Sequence, residues 1–263
     1  MSLSNILLIP GIVGAVDELR ALFFGAGQRG GLWIPGHSGS CFQDTSGTTF
    51  CTDNTPCARM NDLSGNGNHF LQSTGSLQPL FRTNDGTYIQ GDGIDDRMTV
   101  NIDFSNSDQM TIITAIRKLS DAADQNIVEL TIGGVNGWAG LYAPGSGGVA
   151  RFQYNTRGTI GAFPFTSSAT YNAPISAVVT GQSRISTDLA TLRVNGVQVA
   201  SVATDQGTGN YANSSVNLLR RSAGTNPSNS RLAFLLMVGG NYSASAISRG
   251  EVLASRFITG VTI

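Results

Sequence analysis

Asp62-Leu63-Ser64-Gly65-Asn66-Gly67-Asn68-His69 and Gly91-Asp92-Gly93-Ile94-Asp95-Asp96 decide how this chain folds. Both runs concentrate Gly, Asn, Asp and Ser, residues that tolerate φ > 0 or bond their own backbone, so each is predicted to be a fixed corner between strands. Outward from these corners, short Val/Ile/Thr/Phe runs are punctuated by turn residues. With 33 Gly and 13% charged residues in 263 positions, that pattern predicts an all-β protein with little helix.

Downstream, strands are expected at Arg97 to Ile102, Met110 to Lys118, Ile127 to Ile132, Trp138 to Ala143 and Val149 to Asn155. Thr111, Ile113 and Ala115 alternate with Ile112, Thr114 and Ile116; both sets carry bulk, which predicts a central strand covered on both faces. In Arg151-Phe152-Gln153-Tyr154 the aromatics should point inward and the polar groups toward water. Phe163, Phe165 and Tyr171 lie among Pro164 and Pro174, as an irregular rim would. Asn195-Gly196 joins Thr191-Leu192-Arg193-Val194 to Val197-Gln198-Val199-Ala200, the signature of a type I′ hairpin, and its register sets Val194 opposite Val197 and Leu192 opposite Val199. An apolar strand, Leu232 to Val238, should return to the core.

The two ends differ from this pattern. Residues 1–30 read as an arm for attachment or assembly, and residues 31–263 as the sandwich. Within the arm, Asp17 to Phe24 is a helical candidate with Leu19, Leu22 and Phe23 on one face. That face either packs under its own sandwich or, with Leu7, Leu8 and Ile12, docks on a neighbouring subunit. At the other end Ser248-Arg249-Gly250-Glu251 has capping-box spacing and opens a short helix lined by Val252, Leu253 and Phe257.

Composition excludes several roles. A net charge of −1 without a basic block gives nucleic acid no counterion-release attraction. The apolar stretch at residues 6–16 is broken by Pro10, Gly11 and Gly14 and is too short to span a bilayer. It also lacks the positive flank of a secretory signal, which suits synthesis in a host bacterial cytoplasm. Cys41 and Cys51 flank a hairpin tip at Asp44 to Thr48, where a disulfide is feasible, but Cys57 makes the count odd and reduced thiols are the default. His37 with the three cysteines is a weaker zinc alternative.

Gly31 to Trp33, Phe42 to Thr49, Asp62 to His69 and Asp92 to Asp96, in that order, resemble the laminin-G-like (concanavalin A-like lectin/glucanase) domains of tailed-bacteriophage virion proteins. The resemblance implies a two-layer antiparallel jelly-roll sandwich. It also implies a virion setting, with other virion subunits as partners and a homo-oligomer, a trimer by analogy with phage architecture. In the glucanase branch catalysis uses an alternating Glu-x-Asp-x-Glu-like strand, whereas this chain has Glu only at 18, 129 and 251, none spaced that way. With two histidines and no Gly-x-Ser-x-Gly elbow, an enzyme is not expected.

Several laminin-G-like domains hold calcium on Asp and Asn oxygens. By that resemblance Asp62, Asn66, Asn68, Asp92, Asp95 and Asp96 are candidate ligands, against the alternative that they cap their own turns. Contact with a host surface glycan wants aromatics beside polar rims, and Trp138, Tyr142, Tyr211 and Tyr242, with Tyr171, stand near loop signals. A carbohydrate-binding module or a polysaccharide hydrolase of the same fold are the alternatives to a structural virion protein.

Overall fold

The structure, a computed structural model, describes residues 12–25, 27–131, 134–145, 149–166 and 171–263. Among them the strands form two antiparallel sheets, stacked as a sandwich with a short helix near each end. The first sheet centres on Gln109–Lys118, flanked by Ile175–Arg184 and Ser230–Val238. The second runs from Gly161–Ala162 through Gln153–Arg157, Ala139–Tyr142, Asn126–Leu130, Asn213–Leu218 and Met98–Asp103 to the short strands before the Asp92 corner.

The expected central strand is covered on both faces. Met110, Ile112 and Ile116 face the second sheet, while Ile113 and Ala115 join a separate apolar layer with Leu19, Phe23, Ile247 and Leu253. Both helices build that layer on the outside of the first sheet, so the sandwich is in effect three layers deep where they lie.

The amino-terminal helix spans Ile12–Phe23 rather than starting at Asp17. Leu19 and Phe23, offered above as a grip on a neighbour, are fully buried, each worth about 1.5–3 kcal/mol of transfer free energy. Their burial is within this chain, which corrects the assembly assignment for those two residues. Leu22 is half-buried at the edge of the same layer. Leu7, Leu8 and the Ile12 side chain lie outside the described residues. Glu18 clasps Arg249 of the second helix with two bonds of 2.5 and 2.7 Å, and the Tyr242 hydroxyl donates to the Phe23 carbonyl at 2.7 Å. The two helices approach closely at Gly250, where a Cβ would stand 2.8 Å from the Phe23 ring.

The second helix, Ala244–Ser255, is capped by Ser243, whose side chain accepts from the Ala246 amide. Ser248 is therefore an interior residue and not a cap. Glu251, the supposed far member of a capping box, is buried and receives Arg193 Nε and Nη2 at 2.8 and 3.0 Å. It sits on the helix face that meets the sheet, where the guanidinium supplies its partner.

The Asn195-Gly196 hairpin forms as expected, with φ of 48° and 80° at the two loop residues. Val194 opposes Val197, but a register shift between Leu192 and Arg193 places Leu192 opposite Ala200 instead of Val199. The Cys41 and Cys51 hairpin is also present, closed by Cys51 N–H donating to the Cys41 carbonyl at 3.0 Å. All three cysteines are free thiols. Among the described residues they do not converge with His37 into a metal-binding group, so the zinc alternative is set aside. No described helix is long and apolar enough to cross a membrane.

Candidate functional site

The Asp62 corner closes entirely on the protein itself. Asp62 Oδ1 accepts from the Leu32 and Ser64 amides at 2.9 and 2.8 Å, and Oδ2 accepts from Ser64 Oγ and the Asn68 amide at 2.8 and 3.0 Å. Asn66 Nδ2 donates to the Gln28 and Gly30 carbonyls, Asn68 Nδ2 donates to Gly30, and His69 Nδ1 accepts from the Asp62 amide. These side chains splice the corner to the strand Gly30–Trp33. Turn capping describes this corner: both Asp62 oxygens take two donors each, and the Asn66 and Asn68 side-chain amides donate to backbone carbonyls.

The Asp92 corner is different. Carboxylate oxygens of Asp92, Asp95 and Asp96 lie within 4.8 Å of one another. Asp92 Oδ1 accepts from the Ile94 and Asp95 amides at 2.8 and 3.2 Å, and buried Asp96 accepts from the Asp92 amide at 3.0 Å. Burial, and then the Asp92 and Asp95 charges, push the Asp96 carboxyl up to about 7. Among the described residues this trio is the one group of carboxylates close enough together to share a cation.

A pocket lies elsewhere, on the outer face of the second sheet. Alternation explains why polar groups collect there: Val128, Leu130, Leu141, Phe152, Tyr154, Val216 and Leu218 fill the space between the sheets. The residues between them must therefore point out. Register then aligns Asn217, Glu129, Gly140 and Asn155 in one row across four strands, and Tyr142 beside Gln153 in another. Gly140 is needed in its row because a side chain there would come 3.2 Å from the Tyr142 ring.

The resulting cavity of about 380 Å³ is walled by Trp138, Tyr142 and Phe163, with Gln153, Asn155 and Asn226 as amides and Asp124 and Arg221 as charges. Such a mixture of rings and a few convergent polar groups is what ligand pockets are made of. Beneath the lining, Glu129 is fully buried. Its Oε1 accepts from the Tyr142 hydroxyl at 3.0 Å and from Arg221 Nε at 2.9 Å. Burial first, and the Glu129 charge second, hold the Tyr142 phenol well above its ordinary pKa, so it remains a donor. Trp138 meets Tyr142 edge-on with centroids 6.4 Å apart and Phe163 at 6.0 Å. Phe163 is 42% exposed at the mouth.

Of the aromatics expected to meet a ligand, Trp138 and Tyr142 line this pocket. Tyr211 does not: it is buried between the sheets with its hydroxyl 2.6 Å from Thr156 Oγ1 and 2.5 Å from Ser183 Oγ. A polar tip satisfied by neighbouring strands let this tyrosine enter the core. Tyr242 packs edge-on against Phe23 at 4.9 Å, in the helical layer. Tyr171 is set against Phe152 at 5.3 Å, at the margin of the inter-sheet core.

Sequence reasoning missed Arg221, Asn226, Asp124 and the role of Gln153, which is buried in the pocket wall and not bathed in water. The alternation of Gln153 and Asn155 with Phe152 and Tyr154 held a signal, since two amides on one face imply a polar surface. Nothing local links them to Arg221. Cys57 is unsuited to act as a nucleophile: the adjacent Cys41 thiol and burial raise its pKa well above the ordinary value.

A two-sheet antiparallel sandwich of jelly-roll type, carrying a polar and aromatic pocket on one outer face, is the class these features define. Solved structures of similar fold include the botulinum neurotoxin serotype D ligand-binding domain in complex with N-acetylneuraminic acid, at TM-score 0.58 and 12% identity, covering 89% of this chain and 51% of that one. The binding domain of botulinum neurotoxin DC in complex with SialylT is similar at TM-score 0.57 and 11% identity, covering 84% and 51%. The botulinum neurotoxin type G receptor-binding domain follows at 0.54 and 12%, covering 76% and 48%. The chain spans about half the length of these neighbours. At this identity the likeness shows the fold. No protein-family model matches the sequence, and no curated protein matches it.

Proposed function

We propose that this chain is a non-enzymatic carbohydrate-binding sandwich whose ligand enters the pocket of Trp138, Tyr142 and Phe163. The observation that carries this is the convergence of those rings with Gln153, Asn155, Asp124 and Arg221 in one cavity of about 380 Å³. Rings cover the apolar faces of a sugar while amides and carboxylates take its hydroxyls. Neighbours of the same fold support it, since two are described in complex with N-acetylneuraminic acid and with SialylT. A binding role over a catalytic one is favoured because each of the three Glu is tied to an arginine: Glu18 to Arg249, Glu129 to Arg221 and Glu251 to Arg193.

The test is binding to a printed glycan panel by the native chain and by Phe163→Ala, which removes a half-exposed ring at small cost to the fold. Saturable binding that weakens about tenfold or more in the variant is expected; equal binding by both proteins moves the ligand elsewhere.

The sequence resemblance supports a further setting: the domain is displayed on a tailed-phage particle, tail-associated or capsid-decorating, as a homo-oligomer that touches host surface glycans. Because Ile12–Phe23 belongs to the fold, attachment would fall to residues 1–11. Deleting those residues should abolish incorporation into particles, and normal incorporation of the truncated chain would refute the anchor.

A further inference from the structure

We infer that the pocket selects a neutral, hydroxyl-rich glycan over one bearing sialic or uronic acid, in contrast to the sialylated ligands of the similar folds. This rests on the glycan-binding role proposed above and deepens it.

Charge arithmetic is the first support. The lining contains one carboxylate, Asp124, and one guanidinium, Arg221, and a second carboxylate, Glu129, lies directly beneath. Arg221 points its Nε at Glu129 Oε1 across 2.9 Å, so its charge is matched inside the protein. Arg151, whose Cζ lies 4.3 Å from the Phe165 ring centroid, is not among the residues that wall the cavity. Residues 132–133, 146–148 and 167–170 add no charged side chain. A ligand carboxylate entering here would lose its water without gaining an uncommitted cation, and would face Asp124 and Glu129. Recognition of a carboxylate normally uses a free bidentate arginine, and like charges brought together at an interface cost several kcal/mol.

The second support comes from two of the buried polar atoms that the described residues leave unsatisfied. Trp138 is 7% exposed and lines the cavity, yet its Nε1–H has no acceptor among the described residues. Glu129 is 0% exposed, and its Oε2 has no donor among them either. Native proteins rarely leave such groups without a partner, and each one calls for water or a ligand. A sugar hydroxyl oxygen can take the Trp138 donor from inside the cavity, while Glu129 lies beneath the lining and sets a negative charge under it.

The experiment prints neutral hexose- and N-acetylhexosamine-terminated oligosaccharides beside sialic- and uronic-acid-terminated ones, and measures the native chain at low and at high salt. Expected are hits confined to neutral termini, with affinity nearly unchanged by salt. Trp138→Phe keeps the ring and removes the donor, and should weaken those hits about tenfold, as loss of one hydrogen bond does. Should that variant unfold, Gln153→Ala on the same wall gives the second measurement, with a loss of similar size. Preference for acidic termini, or binding that collapses with salt, overturns neutral selection and leaves the glycan role standing. Failure to bind either class by a folded protein removes both.

Discussion

Tyr142 gives its hydroxyl hydrogen to Oε1 of Glu129 across 3.0 Å, joining neighbouring strands on the outer face of the second sheet. The bond joins the wall of the pocket to a carboxylate with no exposure at all. Tyr142→Phe keeps the ring and strips one of the donors from that buried carboxylate, at a cost of about 1–3 kcal/mol. A fall in denaturant midpoint with unchanged m-value is the expected signature, and an unchanged midpoint would mean that water replaces the phenol.

Arg221 is the other donor to Glu129, at 2.9 Å. Arg221→Met leaves a buried charge without its counterion, which typically costs about 3–5 kcal/mol. The double variant Arg221→Met with Glu129→Leu removes both charges and should recover most of that loss in chemical denaturation. A double variant as unstable as the single one would show that the pair matters for shape and not for charge.

Leu19 lies fully buried in the layer between the amino-terminal helix and the first sheet. Leu19→Ala is expected to destabilise the chain by about 2–5 kcal/mol. Arg249→Ala cuts only an exposed ion pair with Glu18 and should leave the melting temperature nearly unchanged, because solvent and salt screen such a pair. Thermal melts of both variants separate a helix that belongs to the fold from one that merely rests on it.

Asp96 has a folded pKa of about 7, raised by burial first and then by Asp92 and Asp95. The unfolded chain releases this proton near pH 4 while the folded chain keeps it, so the contribution to stability is complete below about pH 4 and is lost as pH rises through about 7. Melting curves across that window should therefore show a decline that Asp96→Asn flattens. A calcium ion at this corner, as the sequence resemblance implies, would take the place of the proton. Calcium at pH 7.5 would then raise the Tm of the native chain and not of Asp96→Asn, whereas equal melting curves dispose of the ion.

Local chemistry in the sequence determined the corners, the Asn195-Gly196 turn and the doubly covered central strand, because Gly, Asx and alternation act over a few residues. The sandwich was legible for that reason. Only tertiary structure decided that Ile12–Phe23 folds back onto its own sheet, that Glu251 answers Arg193 and not a helix cap, and that Tyr211 is core while Trp138 and Tyr142 are pocket. Each of those outcomes depends on partners far away in the chain: Arg221 lies 92 residues from Glu129, and Arg249 lies 231 residues from Glu18. Which charge meets its partner on the outer face is set by the order and register in which distant strands pair, and no run of neighbouring residues carries that information.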